Sequence, residues 1–227
     1  MSNDIANNFE ITFWKKLLTE RGRINVNCLQ NLDAVKCLSL VPTPIIADAM
    51  DGRNVIEGLH TVLQEGNIAG PVITVKTEPW DWGTTVTAIE SAQVGDVILI
   101  DSLGPNTSAV WGGLASRAAQ NRGVAGSIIY GACRDIDIIK KLRFPVWTKS
   151  ITPRAGRPLN EGQINIPITI GESTVEPHDI IRADTVGVVV VPLEDAKEVV
   201  SKVKVILQKE KVIEEGLKSG RNFSDLI

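Results

Sequence analysis

The chain has 227 residues, 43% of them hydrophobic and 22% charged, with a net charge of −3. That balance suits a globular chain with ample core, and it lacks the basic excess that binding to nucleic acid or a membrane surface would use. Cys28, Cys37 and Cys133 show no C-x-x-C spacing, which argues against a disulfide framework or a zinc site and fits a reducing cytoplasm.

Residues 1–10 are polar and contain no apolar run of the kind a signal peptide carries. Apolar residues at Phe9, Ile11, Phe13, Trp14, Leu17 and Leu18 predict an amphipathic helix over Phe9–Glu20, ended by Arg21-Gly22. Leu29–Leu40 reads as a second short helix or as part of the same antiparallel pair, so residues 1–40 read as a helical arm and 41–227 as the main domain. Thr43-Pro44 is a helix start, with Thr43 as the capping residue and Asp48 as a candidate to face a site. Pro71–Lys76 is a β-branched strand. The loop Glu78–Gly83 precedes a helix over Thr84–Ala92, and Asp81 and Trp82 are candidates to line a pocket.

Val97–Asp101 is an apolar strand, followed by a loop over Ser102–Ser108. A helix opens at Trp111-Gly112-Gly113-Leu114-Ala115 and runs to about Asn121, and Ser127–Tyr130 is the next strand. One helix between two strands makes a βαβ unit, so the strands are expected to be parallel. Ligands of open α/β sheets bind at the C-terminal strand edge. That edge carries Asp101, the glycine-opened helix start and the pair Arg134-Asp135. A helix start suits a carboxylate or phosphate, and two glycines let a ligand approach the backbone. Arg134 offers a planar fork for a carboxylate, and Asp135 is a hard oxygen ligand for Mg²⁺ or Mn²⁺. The same pair also fits a surface ion pair, with Asp135 capping the next helix.

Beyond it, Ile136–Lys141 is a helix and Pro145–Trp147 a strand. Ser150–Gly162 is irregular, a lid, a subunit contact or a surface loop. Ile164–Ile170, Asp179–Arg182 and Gly187–Val191 are strands. Leu193–Gly220 is a long helix with Val199, Val203, Ile206, Val212 and Ile213 on a stripe. His60 and His178 do not suggest a metal site. There is no Walker A loop and no G-x-G-x-x-G fingerprint, and no apolar run long enough for a membrane span.

Gly131-Ala132-Cys133-Arg134-Asp135 matches a G-x-x-x-R-D pattern. In order along the chain come Ala47-Asp48-Ala49, Gly70–Val75, Gly95-Asp96-Val97, Val175–Ile180 and Ala183–Pro192. This ordered set resembles the family that joins the regulator of RNase E activity A to the 4-hydroxy-4-methyl-2-oxoglutarate aldolases. The resemblance implies an α/β fold, a three-layer β/β/α sandwich of the swivelling phosphohistidine-domain type, with N- and C-terminal helices. It implies a metal-dependent lyase that cleaves a C–C bond of a 2-oxo acid to release pyruvate, with oxaloacetate decarboxylation as a related reaction. A non-catalytic regulatory protein is the alternative. The family's carboxylate cradle falls on Gly112, Gly113, Leu114 and Ala115, its substrate arginine on Arg134, and its metal ligand on Asp135, with Asp81 near the ligand. The metal implied is Mg²⁺ or Mn²⁺. Aldolase members carry an acid where this chain has Gly113. A glutamate from a neighbouring subunit also approaches the metal, and Glu210 is the match, with Glu214 and Glu215 as alternatives. A homo-oligomer, trimer or hexamer, with sites between subunits is therefore expected.

Overall fold

The computed structural model describes residues 34–103 and 107–227. The helix expected over Phe9–Glu20 lies outside the described residues. Among the described residues two short helices come first, α1 (Ala34–Leu38) and α2 (Thr43–Ala49), then the two-residue strands β1 (Val55–Ile56) and β2 (His60–Thr61). An alternating stretch follows: β3 (Ile68–Thr77), α3 (Gly83–Ser91), β4 (Val97–Ser102), β5 (Ala109–Trp111), α4 (Gly113–Asn121), β6 (Gly126–Cys133), α5 (Ile136–Leu142) and β7 (Val146–Ile151). Strands β8 (Gln163–Ile164), β9 (Ile168–Ile170), β10 (Ser173–Val175), β11 (Ile180–Ala183) and β12 (Val188–Val191) lead into α6 (Ala196–Lys218). No described helix is long and apolar enough to cross a membrane.

Strands β3, β4, β6 and β7 pair in parallel, as the βαβ reading requires. Side chains alternate across a strand, so each one feeds two layers. Ile73, Val75, Ile98, Ile100 and Ile129 pack under the helices α3–α5. Val72, Val97, Leu99 and Ile128 face the other way. On its second edge β3 pairs antiparallel with β11, which continues to β12 and β1. The resulting ten-stranded sheet curls until Ile181, Val188 and Val190 meet Leu99 and Ile128, with the β9–β10 hairpin beside them.

The fold is thus mixed α/β, with one curled sheet forming both β layers. It also carries helices on both outer faces, and the second helical layer is made by the N- and C-terminal helices that were expected beside the β/β/α stack. The reason is visible in β12, whose four valines are all buried. Val188 and Val190 fill the inside of the curl, while Val189 and Val191 need cover from α1, α2 and α6.

Several local readings change for long-range reasons. Thr43 does not cap α2; Pro42 occupies that position. Thr43 instead donates its N–H and hydroxyl to the Asp184 carboxylate at 2.8 and 2.7 Å, so the helix start is satisfied from across the fold. The strand expected over Ile164–Ile170 is broken into β8 and β9, with Asn165 between them in the left-handed region at φ 54°. In α6 the stripe is buried only at its start: Val199 and Val203 are in the core, but Val212 is 64% exposed. Arg182 is buried and donates to the carbonyls of Leu38, Val41 and Ile68, tying the end of α1 to β3 and β11.

Candidate active site

The helix α4 begins at the C-terminal edge of the parallel strands, and Gly112 caps it without any side-chain hydrogen bond. Its first-turn N–H groups have no partners within the helix and lie at the positive end of its dipole. Gly112 has an extended backbone that any residue adopts, so its glycine identity is a matter of space. A Cβ there would stand 2.9 Å from Asp135 Oδ2 and 3.2 Å from Arg134 Cγ. The strand β5, which the sequence reading did not anticipate, sets this distance. It lies beside β6 with Trp111 opposite Cys133, and the Trp111 carbonyl accepts the Arg134 N–H at 3.1 Å. Trp111 is itself fixed by an indole N–H bond to the Ser116 hydroxyl at 2.8 Å and by stacking on Phe144.

Asp135 has a left-handed backbone, φ 56° and ψ 39°. A non-glycine residue held there carries strain, which concentrates at functional sites. It occupies the capping position of α5, yet its side chain makes no capping bond. Its Oδ2 instead accepts the Gly113 N–H at 3.2 Å and lies 3.4 Å from Arg134 Nε. The Arg134 and Asp135 side chains are 41% and 33% exposed, so the ion pair is half open to solvent and either partner can engage a ligand. Among the described residues no group of three or more His, Cys, Asp or Glu side chains gathers to hold a metal. The donor set is therefore one carboxylate beside the N-terminus of α4. That fits Mg²⁺ or Mn²⁺, which take one or two protein carboxylates and complete their shells with water and substrate oxygens.

These groups form one end of a cavity of about 710 Å³. Gly112, Leu114, Ala115, Arg134 and Asp135 all line it, and Gly113 adjoins it through its bond to Asp135. Trp82 also lines it, as expected, whereas Asp48 does not. The wall contains residues the sequence reading missed: Val86, Ile89 and Glu90 of α3, Ala118 of α4 and Arg122 at its C-terminal end, and Ala155 and Gly156 of the irregular loop. The signal for the helical ones was present, because Trp82, Val86 and Ile89, like Ala115, Ala118 and Arg122, recur at intervals of three and four residues.

Asp81 is a correction. It does not line the cavity and is fully buried behind it. Oδ1 accepts the N–H groups of Gly83, Leu159 and Asn160, and Oδ2 accepts the Glu161 N–H and the hydroxyls of Thr77 and Thr84. Burial alone would raise its pKa, but this shell of donors outweighs burial and holds the carboxyl well below the usual range. The residue that looked like a ligand contact is the anchor of the loop that walls the cavity. Glu210 is not brought to the site within one chain either; it is exposed on α6 and absent from the cavity wall.

Gly113 is also committed by its surroundings. A Cβ at this position would lie 2.8 Å from Ile138 Cγ2 and 3.0 Å from its Cβ, atoms close to the α5 backbone that cannot swing away. Gly113→Asp alone is therefore expected to destabilise the fold by about 1–3 kcal/mol. Adding Ile138→Ala should restore most of that loss in thermal melts. An unaltered melting temperature for the single variant would show that the α4–α5 contact is softer than it looks.

The RraA-like profile, described as Aldolase/RraA, matches residues 43–190. A Halalkalibacterium halodurans protein carrying the provisional name 4-hydroxy-4-methyl-2-oxoglutarate aldolase is 33% identical over 174 residues, 76% of this chain and 83% of that one. The crystal structure of a Pseudomonas syringae protein superposes with a TM-score of 0.75 at 25% identity, covering 86% of this chain and 96% of that one. Streptomyces coelicolor RraAS2, described as an unusual member of the RNase ES inhibitor RraA family, has the same fold, with a TM-score of 0.71 at 24% identity over 79% of this chain and 94% of that one.

Proposed function

The chain belongs to the RraA-like aldolase/RraA family, and from that premise we propose that it is a divalent-metal-dependent lyase releasing pyruvate from a 2-oxo acid. The observation that carries the reading is Asp135. Its carboxylate is turned away from the helix it should cap, at the cost of a left-handed backbone, and faces the cradle beside Arg134. Oδ2 satisfies one N–H at the start of α4, and Oδ1 has no hydrogen-bond partner among the described residues, on a side chain that lines the cavity.

In this reading Arg134 and the N–H groups of Leu114 and Ala115 hold the substrate carboxylate, the guanidinium by its fork and the helix start by its dipole. Gly112 leaves room for the keto group beside Asp135. Mg²⁺ or Mn²⁺ held by Asp135 supplies Lewis-acid polarisation of the keto oxygen when bound. Ala155 and Gly156, on the loop that Asp81 anchors, close the site from above and limit water. The acid that aldolase members carry at the position of Gly113 is lacking, and a glutamate from a second copy fills part of that role. Glu214 and Glu215 are engaged by Lys218 and Lys211, whereas Glu210 has no ion-pair partner among the described residues, which favours Glu210. The exposed apolar side chains Leu114, Ile138 and Trp82 around the mouth support a homo-oligomer, trimer or hexamer, with sites between subunits.

The test is pyruvate release from oxaloacetate and from 4-hydroxy-4-methyl-2-oxoglutarate, with the oligomeric state measured on the same sample by light scattering. Release in Mg²⁺ is expected to vanish in excess EDTA and to return with Mg²⁺ or Mn²⁺. No release from either substrate would overturn the lyase reading and favour a contact-based regulator. An active monomer would remove Glu210 from the site.

A further inference from the structure

The cavity is much longer than a pyruvyl group requires. It runs from the Arg134–Asp135 end along the groove between α3 and α4, under Ala155 and Gly156. Both helices follow parallel strands and lie on the same face of the sheet, so they start together at the mouth and end together at the far end. Val86 and Ile89 on one side, with Ala115 and Ala118 on the other, make the middle apolar. At the far end stand Glu90, from the last turn of α3, and Arg122, which terminates α4. Neither makes an ion pair or a side-chain hydrogen bond among the described residues.

Gly112 and Arg122 flank a nine-residue helix, so their backbones are about 15 Å apart along its axis. A four-carbon diacid is about 4 Å end to end, at roughly 1.2 Å per bond of extended chain. It covers less than one turn of α4 and leaves the apolar middle and Arg122 untouched. Side chains on a helix lean towards its N-terminus, which aims the Arg122 side chain back along the groove.

We propose that the groove between α3 and α4 is a distal substrate subsite, selecting 2-oxo acids whose far portion has an apolar body and ends in an anion held by Arg122. The proposal rests on the reading of the mouth as a 2-oxo acid site, and it assigns Arg122 as the specificity residue of that site. Glu90 at the same end works against the anion, so it tunes rather than provides the affinity.

The experiment is calorimetric binding in Mg²⁺ of three probes: pyruvate, 2-oxooctanoate and 2-oxooctanedioate. The apolar chain is expected to tighten binding over pyruvate, and the second carboxylate to tighten it by about a further two- to fivefold, the size of one ion pair to an exposed arginine. Arg122→Met should erase the gap between the two eight-carbon acids, Arg122→Lys should retain part of it, and Glu90→Gln should tighten the diacid alone. Equal affinities for the three probes, or a gap that survives Arg122→Met, would overturn the proposal. So would a uniform loss of all three probes, or a change in oligomeric state, which would mark Arg122 as an interface residue. Weaker diacid binding by Glu90→Gln would reject an anion as the distal group. Because binding is read without turnover, the expected pattern in a protein that leaves oxaloacetate intact would sink the lyase reading and keep the subsite.

Discussion

Asp135→Asn is expected to lower pyruvate release by about a hundredfold or more while leaving thermal stability within about 0.5 kcal/mol of the parent. The two halves of this expectation come from different observations. Asparagine has the same shape and tolerates the left-handed backbone as well as aspartate does. The bond from the Gly113 N–H can be kept by the amide oxygen, and the half-exposed pair with Arg134 contributes little to stability. What disappears is the anionic oxygen facing the cradle. Mn²⁺ binding followed by electron paramagnetic resonance should weaken in parallel, and high metal should recover part of the rate. Arg134→Lys is the companion: it keeps the charge but loses the planar fork, so KM for the 2-oxo acid should rise more than kcat falls. A purely structural Asp135 would give the reverse pattern, with a lowered melting temperature and unchanged turnover.

Asp81→Asn is expected to cost about 3 kcal/mol, or roughly 6–12 °C in Tm for a chain of this size. The carboxylate collects six donors from Thr77, Gly83, Thr84, Leu159, Asn160 and Glu161 in a fully buried position. An amide replaces one acceptor oxygen by an NH₂ group that faces donors, so several buried N–H and O–H groups lose their partners at once. The pH dependence has a definite sign. The folded-state pKa is held below the unfolded value of about 4. The stabilisation is therefore fully present above that value and is lost as pH falls below it towards the folded pKa. The gap in stability between parent and variant should be constant above about pH 5 and narrow in more acid solution. A gap that stays constant down to pH 2.5 would mean that Asp81 does not titrate with unfolding. Because Asp81 holds the loop carrying Ala155 and Gly156, the variant should also raise KM, although residue 81 touches no part of the cavity.

The βαβ unit from Val97 to Cys133 and the glycine-opened helix start facing Arg134-Asp135 were legible in the sequence because they depend on short-range patterns. Apolar runs of strand length, a glycine-opened helix and an acid just past a strand end each carry their own signal, and parallel pairing follows from the helical crossover. The family resemblance added residue roles to the same stretch.

What the sequence could not convey is the set of features that depend on partners far along the chain. β5 has only three residues and exists because β6 offers it an edge. Thr43 has the residue type of a cap, but Asp184, 141 residues away, is what satisfies it and the start of its helix. Asp81 sits where a ligand contact was expected, and only the folding of the 157–162 loop over it turned it into a buried anchor. The intervals along α3 and α4 marked two helix faces, yet which pair of faces would enclose a cavity, with Arg122 at its end, was set by the common face of the sheet on which both helices land. Periodicity fixes which side chains share a face, and the tertiary structure decides what that face meets, because burial and hydrogen-bond satisfaction are properties of the whole packed chain.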